Sequence, residues 1–372
     1  MDLDPFVYLH AADRTLTAFI GNVSIVMSSQ VFEGLASDNI LHFNLNALYA
    51  REVDSNKTSR LIGSSLALYM IGISISPSVA GLLHNYTDSF IVSYGLFIGA
   101  FVYLFCVVKV PPLRIPIRHT DANPTPGVED RRFSLKKIVS HSLTPFYFIV
   151  QDVRSFSIGL VLFLYNTAQS YTFSAIMVHT STQFGFSSRE NGFIITLVHI
   201  VASLYLFCVL FIAPRLAKFR ENGRKKDSPL RSEEGDHQPR TATNAILALA
   251  SLTIQACALL WFGLMSEAWQ VYLASVFLAI GLAFPSFLKS DFASRFDLAQ
   301  RPRALASLSA MEMTGSFVAP ITLGSIQTLW PGNRIFFAAS GFAFLAGGIL
   351  FTEIVSDQLR LYYSRKTQKI TI

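Results

Sequence analysis

Apolar and polar residues in this chain alternate in long blocks rather than at the short periods of a soluble domain. Runs rich in apolar residues cover about 20–49, 61–83, 90–108, 155–179, 191–213, 243–264, 268–288, 304–328 and 335–354. Each is long enough to cross a hydrocarbon core at about 1.5 Å per residue. The pattern predicts an all-α integral membrane protein with nine spans: three, then a polar, proline-containing linker, then six. It divides the chain into a three-span bundle over 1–108, a linker over 109–153, a six-span bundle over 154–356 and a tail over 357–372. A charged connection runs from Arg215 to Arg240 inside the second bundle. The first span is the least apolar. It carries Gln30, Glu33, Asp38, Asn39, His42, Asn44 and Asn46, so it must face a protein interior or an aqueous cavity rather than lipid.

One stretch occurs twice. Residues 60–81 align without a gap on 303–324, with seven identities in 22 positions: Arg60/Arg303, Ser64/Ser307, Ala67/Ala310, Met70/Met313, Gly72/Gly315, Pro77/Pro320 and Gly81/Gly324. Glycine and proline are costly inside helices, so their coincidence indicates a duplicated structural unit and not shared hydrophobicity alone. Proline removes a helix hydrogen bond and glycine admits a close neighbour. Each copy is therefore expected to be a bend and packing seam. Internal duplication in a multi-span protein is a feature of transporters.

Composition agrees with a membrane protein. Hydrophobic residues make up 51% and charged residues 15% of the 372, against roughly 25% charged in soluble domains. The net charge of +6 does not point to nucleic acid, because the basic residues sit in connections between apolar runs. With nine spans, twenty-seven of the thirty Lys and Arg fall on one side, and only Arg189 and Arg334 fall on the other. That imbalance predicts a cytoplasmic linker and C-terminus, and an external N-terminus. The connection 84–89 has no Lys or Arg, so it reads as external, and its Asn85-Tyr86-Thr87 sequon lies tight against the bilayer. Cys106, Cys208 and Cys257 lie inside apolar runs and build neither a disulfide framework nor a metal site. Residues 20–108 correspond to 268–354, whereas 155–264 has no counterpart upstream of residue 20. Three helices are therefore expected to be missing from the first half.

With these features the chain resembles the major facilitator superfamily, with the spans read as the fourth to twelfth of twelve. Gly72-Ile-Ser-Ile-Ser-Pro77-Ser-Val-Ala-Gly81 is similar to the fifth-helix antiporter motif Gly-x-x-x-Gly-Pro-x-x-Gly-Gly, with Ser76 and Ala80 in place of glycines. Gln30-Val-Phe-Glu33-Gly34 resembles the fourth-helix motif Arg-x-x-Gln-Gly, with Gln30 where proton-coupled members keep an arginine. The resemblance extends to the drug:proton antiporter and proton-coupled folate transporter branches. The linker and Phe163-Leu-Tyr-Asn-Thr-Ala-Gln169 are similar to fungal-type members. Lys218, Arg220, Arg224, Lys225 and Lys226 share only their charge with the family's gating-loop motif, and read as a solvated, orienting loop.

Glu33, Asp38 and Glu312 are acids inside spans. An ionised carboxylate there must be paired, hydrated or protonated, and a group poised between those states can couple proton movement to solute movement. The alternative is an interhelical hydrogen bond. Tyr165, Asn166, Gln169 and Tyr171 cluster in one span, with Tyr165 and Gln169 on one helical face. They are candidates for a solute cavity or, alternatively, for helix packing. His42 and His199 read as hydrogen-bonded structural residues. The expected function is secondary active transport of a small organic solute by a monomer in the bilayer, through proton-coupled alternating access. The antiporter-like motif implies efflux. The alternative is a truncated, non-transporting membrane binding or scaffold protein, or a partial gene model of a longer transporter. No phosphate-binding loop, cofactor motif, metal spacing or nucleophile constellation points to an ATPase or another enzyme. The expected location is the plasma membrane, or the vacuole or another organelle.

Overall fold

The structure is a computed structural model that describes residues 55–82, 86–106, 149–150, 152–215, 239–297, 300–330 and 332–370. Its long helices are α1 (Ser55–Leu82), α2 (Tyr86–Cys106), α3 (Val153–Gln183), α4 (Ser188–Phe207), α5 (Pro239–Leu264), α6 (Ala268–Gly281), α7 (Phe284–Ser294), α8 (Arg301–Leu329) and α9 (Arg334–Ile370). A π-helical turn, Cys208–Ile212, extends α4. The span expected at 20–49, with Gln30, Glu33, Asp38 and His42, lies outside the described residues. So do most of the linker and the basic cluster from Lys218 to Lys226.

The chain divides into two compact units. The described part of one is α2, whose Ile91, Leu96, Val102, Tyr103 and Phe105 are exposed apolar side chains. The other unit contains α1 and α3 to α9. Within it α3 packs on α8 and α9, and α5 packs on α6, α7 and α9. There α4 joins α1 to α6, while α7 touches both α1 and α8. Phe262, Phe284, Phe292 and Phe336 fill the centre and are at most 1% exposed.

Local chemistry sets the helix limits. Asp152 caps α3, its carboxylate accepting from the backbone N–H of Ser155 (3.1 Å) and the Ser155 hydroxyl (2.9 Å). Gly185, at φ +68°, lets the chain turn toward α4. Partial burial pushes the Asp152 carboxyl up, but the hydrogen bonds from Ser155 and Arg154 outweigh it and hold the group below its ordinary value. The cap's contribution is thus present above the unfolded carboxyl pKa and is lost as pH falls through the depressed folded value. Asp152→Ala is expected to cost about 1 kcal/mol at neutral pH. Thermal melts of the purified protein should show this difference shrink at acid pH.

Two boundaries differ from the sequence expectation. The run expected as one span over 268–288 is broken at Leu282 and Ala283, and it resumes as α7 with Pro285 in its first turn. Proline cannot donate to the Gly281 carbonyl four residues back, and here that missing bond coincides with the break. At the other end, α9 runs to Ile370 through residues assigned to the tail. No Gly or Pro interrupts 349–370, so nothing in the sequence stops the helix there.

Five segments among the described residues are long and apolar enough to cross a membrane: Arg60–Pro77, Ser188–Arg215, Thr243–Leu264, Ala268–Ser294 and Arg334–Arg360. Ile91–Tyr103 is a shorter apolar helix. At 31 and 29 residues, α3 and α8 have the length but are not among the five. These two more polar helices pack against each other, and they carry most of the described candidate residues.

Candidate functional site

The site grows from the break between α6 and α7. Pro285 leaves the Gly281 carbonyl without its helical donor, and the Tyr165 hydroxyl of α3 reaches it at 3.4 Å. The Tyr165 ring lies 4.7 Å from that of Phe284, between centroids. One turn further along α3, Gln169 Oε1 accepts from Gln255 Nε2 of α5 at 2.5 Å. Tyr165 and Gln169 do share a face, as their spacing predicts, and that face is turned into the bundle. Gln255 is fully buried. The sequence does not mark it, because a lone glutamine in an apolar run carries no signal of its partner.

Asn166 lies on the seam between α3 and α8. Its side-chain amide donates to the Leu162 carbonyl at 3.1 Å. The neighbouring Thr167 hydroxyl reaches the carbonyls of Phe163 (2.9 Å) and Gly315 (3.4 Å). One turn on, the Ser170 hydroxyl donates to Ser316 Oγ at 2.8 Å. Tyr171 is half-buried beside Gly324, where an added Cβ would stand 3.6 Å from its ring.

On the α7 side of α8, Glu312 forms an ion pair with Lys289. The two side chains are 14% and 11% exposed. Glu312 lies about 16 Å along α8 from Arg301. The sequence pattern ends this span at 288 and leaves Lys289 in the connection that follows, whereas the structure carries the helix on to Ser294. Because the helix restarts at Phe284, Lys289 falls in the middle of α7 and turns inward. Two residues on, Asp291 faces elsewhere, pairing with Arg295 at 2.6 Å. Arg295 also lies 3.7 Å from Asp357, and Arg154 contacts Asp357 and Glu353. This second charged cluster ties α3, α7 and α9 together at one end of the bundle.

The duplicated helices differ in their surroundings. Both α1 and α8 continue through their prolines, Pro77 and Pro320. At Gly315 an added Cβ would collide with the Phe163 carbonyl oxygen and lie 3.1 Å from Asn166 Cβ, so this glycine is required by the seam with α3. At Gly72 no described atom lies within 4 Å. The close approach expected of both glycines is therefore present only at the second among the described residues. The first copy is instead clasped to α4 by polar contacts: Thr196 donates to the Ser74 carbonyl (2.8 Å) and Ser203 to the Ala67 carbonyl (3.2 Å). Arg60 and Arg303 are exposed near the starts of their helices, and Gly81 lies one residue before the end of α1. His199 keeps to its own helix, with Nδ1 2.7 Å from the Ile195 carbonyl and its ring stacked on Phe173. Among the described residues no three His, Cys, Asp or Glu side chains cluster as a metal site would require.

The helix arrangement is that of the major facilitator fold, a multi-pass membrane architecture. Among solved structures, the crystal structure of the human organic anion transporter MFSD10 (TETRAN) is similar at a TM-score of 0.66. The match covers 93% of this chain and 75% of that one, at 14% sequence identity. At that identity the likeness is one of fold. No protein-family model and no curated protein matches the sequence.

Proposed function

We propose that the protein is a secondary active transporter that moves a small organic solute by alternating access, with proton coupling at Glu312 and in the direction of efflux. The observation that supports this reading is the largely buried Lys289–Glu312 pair, on a helix that restarts after a break within a major facilitator fold. Membrane transporters build their sites near the midplane from interrupted helices. An ion pair there is an expensive way to hold helices together, and the same pair can exchange partners during a transport cycle. Asp38 and Glu33 are the corresponding candidates on the first span. The Gly–Pro helices α1 and α8 supply the seams along which helices can shift.

The test is flux in proteoliposomes under an imposed pH gradient, with fluorescein and rhodamine 123 as probes. Dye movement should follow the gradient and lose that dependence in Glu312→Gln or Asp38→Asn. Movement indifferent to the gradient, or equally gradient-driven in both variants, would refute the proton assignment.

A further inference from the structure

Between α5 and α9 the packing leaves a groove of about 280 Å³, lined by Leu249, Thr253, Phe344, Gly347, Gly348 and Phe351. The two glycines make the room. No described atom lies within 4 Å of a Cβ added at Gly348, and at Gly347 only Leu252 Cδ2 comes as near as 4.0 Å. The groove opens outward, because Thr253, Phe344, Gly348 and Phe351 are exposed. Its one hydroxyl is already engaged: Thr253 donates to the Leu249 carbonyl of its own helix at 2.8 Å. The groove therefore suits an apolar occupant. All six residues fall inside Thr243–Leu264 or Arg334–Arg360, two of the membrane-length apolar segments.

A second observation lies further along α9. The apolar segment ends at Arg360 but the helix runs on to Ile370. No acid follows Asp357 in the sequence, whereas Arg360, Arg365, Lys366 and Lys369 do. At 3.6 residues per turn, positions 365, 366 and 369 return to within about 60° of Phe351, on the helical face of Phe344, Gly347 and Gly348. Arg365 stands about 21 Å along the helix from Phe351, and one leaflet with its headgroups is roughly 20–22 Å deep. Tyr362 and Tyr363 lie between, a residue type enriched at membrane interfaces. From groove to tyrosines to basic turns, α9 follows the layers of one leaflet.

We propose that the groove and this basic face form one binding site for an anionic phospholipid, with an acyl chain in the groove and the phosphate against Arg365, Lys366 and Lys369. The lipid then sits in the leaflet that the Lys and Arg asymmetry of the sequence assigns to the cytoplasm, the leaflet where anionic lipids concentrate. A second copy of this chain is the competing occupant of an apolar groove. Two copies inserted the same way and related by a two-fold axis would set each basic face against its own image. Like charges oppose that pairing, whereas a lipid phosphate neutralises the same residues. Asp357 and Glu353, the acids nearest the site along α9, are engaged by Arg154 and Arg295, so they leave the basic face uncompensated.

The experiment is native mass spectrometry of the full chain in dodecyl maltoside, titrated with palmitoyl-oleoyl phosphatidylglycerol or with the matching phosphatidylcholine. One phosphatidylglycerol should bind at least about tenfold more tightly than phosphatidylcholine, since each Lys or Arg near an anionic headgroup contributes about fivefold. Arg365→Gln/Lys366→Gln/Lys369→Gln should weaken phosphatidylglycerol roughly tenfold to a hundredfold and leave phosphatidylcholine as it was. Gly348→Phe fills the groove and should remove the tight phosphatidylglycerol site. Its lipid-free melting temperature should match the wild type, because the new ring enters open space. Gly341→Phe adds the same ring at an equally open position of α9 outside the groove, and should bind lipid as the wild type does. Equal binding of the two lipids would overturn the site, as would phosphatidylglycerol binding unchanged by Gly348→Phe or by the charge variant. A two-chain mass that Gly348→Phe splits into single chains would make the occupant a second copy and overturn the lipid assignment.

Discussion

Replacing Lys289 by methionine is expected to destabilise the α3–α9 bundle by about 3 kcal/mol, the low end for stranding one member of a buried ion pair. The low end applies because both side chains retain some exposure. The methionine fills nearly the same volume, so the loss comes from the Glu312 carboxylate left without its cation. A second change, Glu312→Gln, should return most of that stability, because removing both charges also removes the need to pair them. A double-mutant cycle on thermal unfolding in detergent measures this. Near-additive single effects, each below about 1 kcal/mol, would show that the pair is solvated and weak.

Gly315→Ala is expected to cost about 2–3 kcal/mol, as overpacking does in a fixed seam. The new Cβ meets the Phe163 carbonyl oxygen, which belongs to the backbone of α3 and cannot rotate away. The two helices would have to separate, loosening the Thr167 contact to the Gly315 carbonyl and the Ser170–Ser316 hydrogen bond. Gly72→Ala, at the matching position of the repeat, meets no described atom within 4 Å. It should be neutral or stabilising by up to about 1 kcal/mol, as alanine is in an open helix position. Equal melting-temperature losses for the two variants would contradict the difference seen between the copies.

Much of the architecture is legible in the sequence because burial in lipid imposes long apolar blocks, and the Gly–Pro repeat gives them a register. Helix existence followed from those blocks at α1, α2 and α4 to α6, and at α3 and α8 despite their polar content. What stayed hidden depends on pairings between distant residues. Lys289 lies just past an apolar run and two residues before Asp291, a pattern that looks like the start of a connection. Only the restart at Phe284-Pro285 shows that the helix goes on. Nothing local distinguishes Gln255 from any other span polar residue, because its partner Gln169 is 86 positions away. Tyr165 and Gln169 were recognisable as one helical face, but which side of the bundle that face meets is a tertiary property. The equivalence of Gly72 and Gly315 was correct as sequence and incomplete as packing, since a repeat copies the helix and not its neighbours.

The proposed alternating access requires the seam beside Glu312 to open to each side of the membrane in turn. Ser316 lies one turn beyond Glu312 on α8 and hydrogen-bonds to Ser170, and cysteine is close to it in size. Cys106, Cys208 and Cys257 are all exposed, so the background for Ser316→Cys must carry serine at those three positions. In that chain, reconstituted with known orientation, a membrane-impermeant maleimide should label position 316 from either face. Labelling from one face only, or from neither, would contradict alternating access at this site.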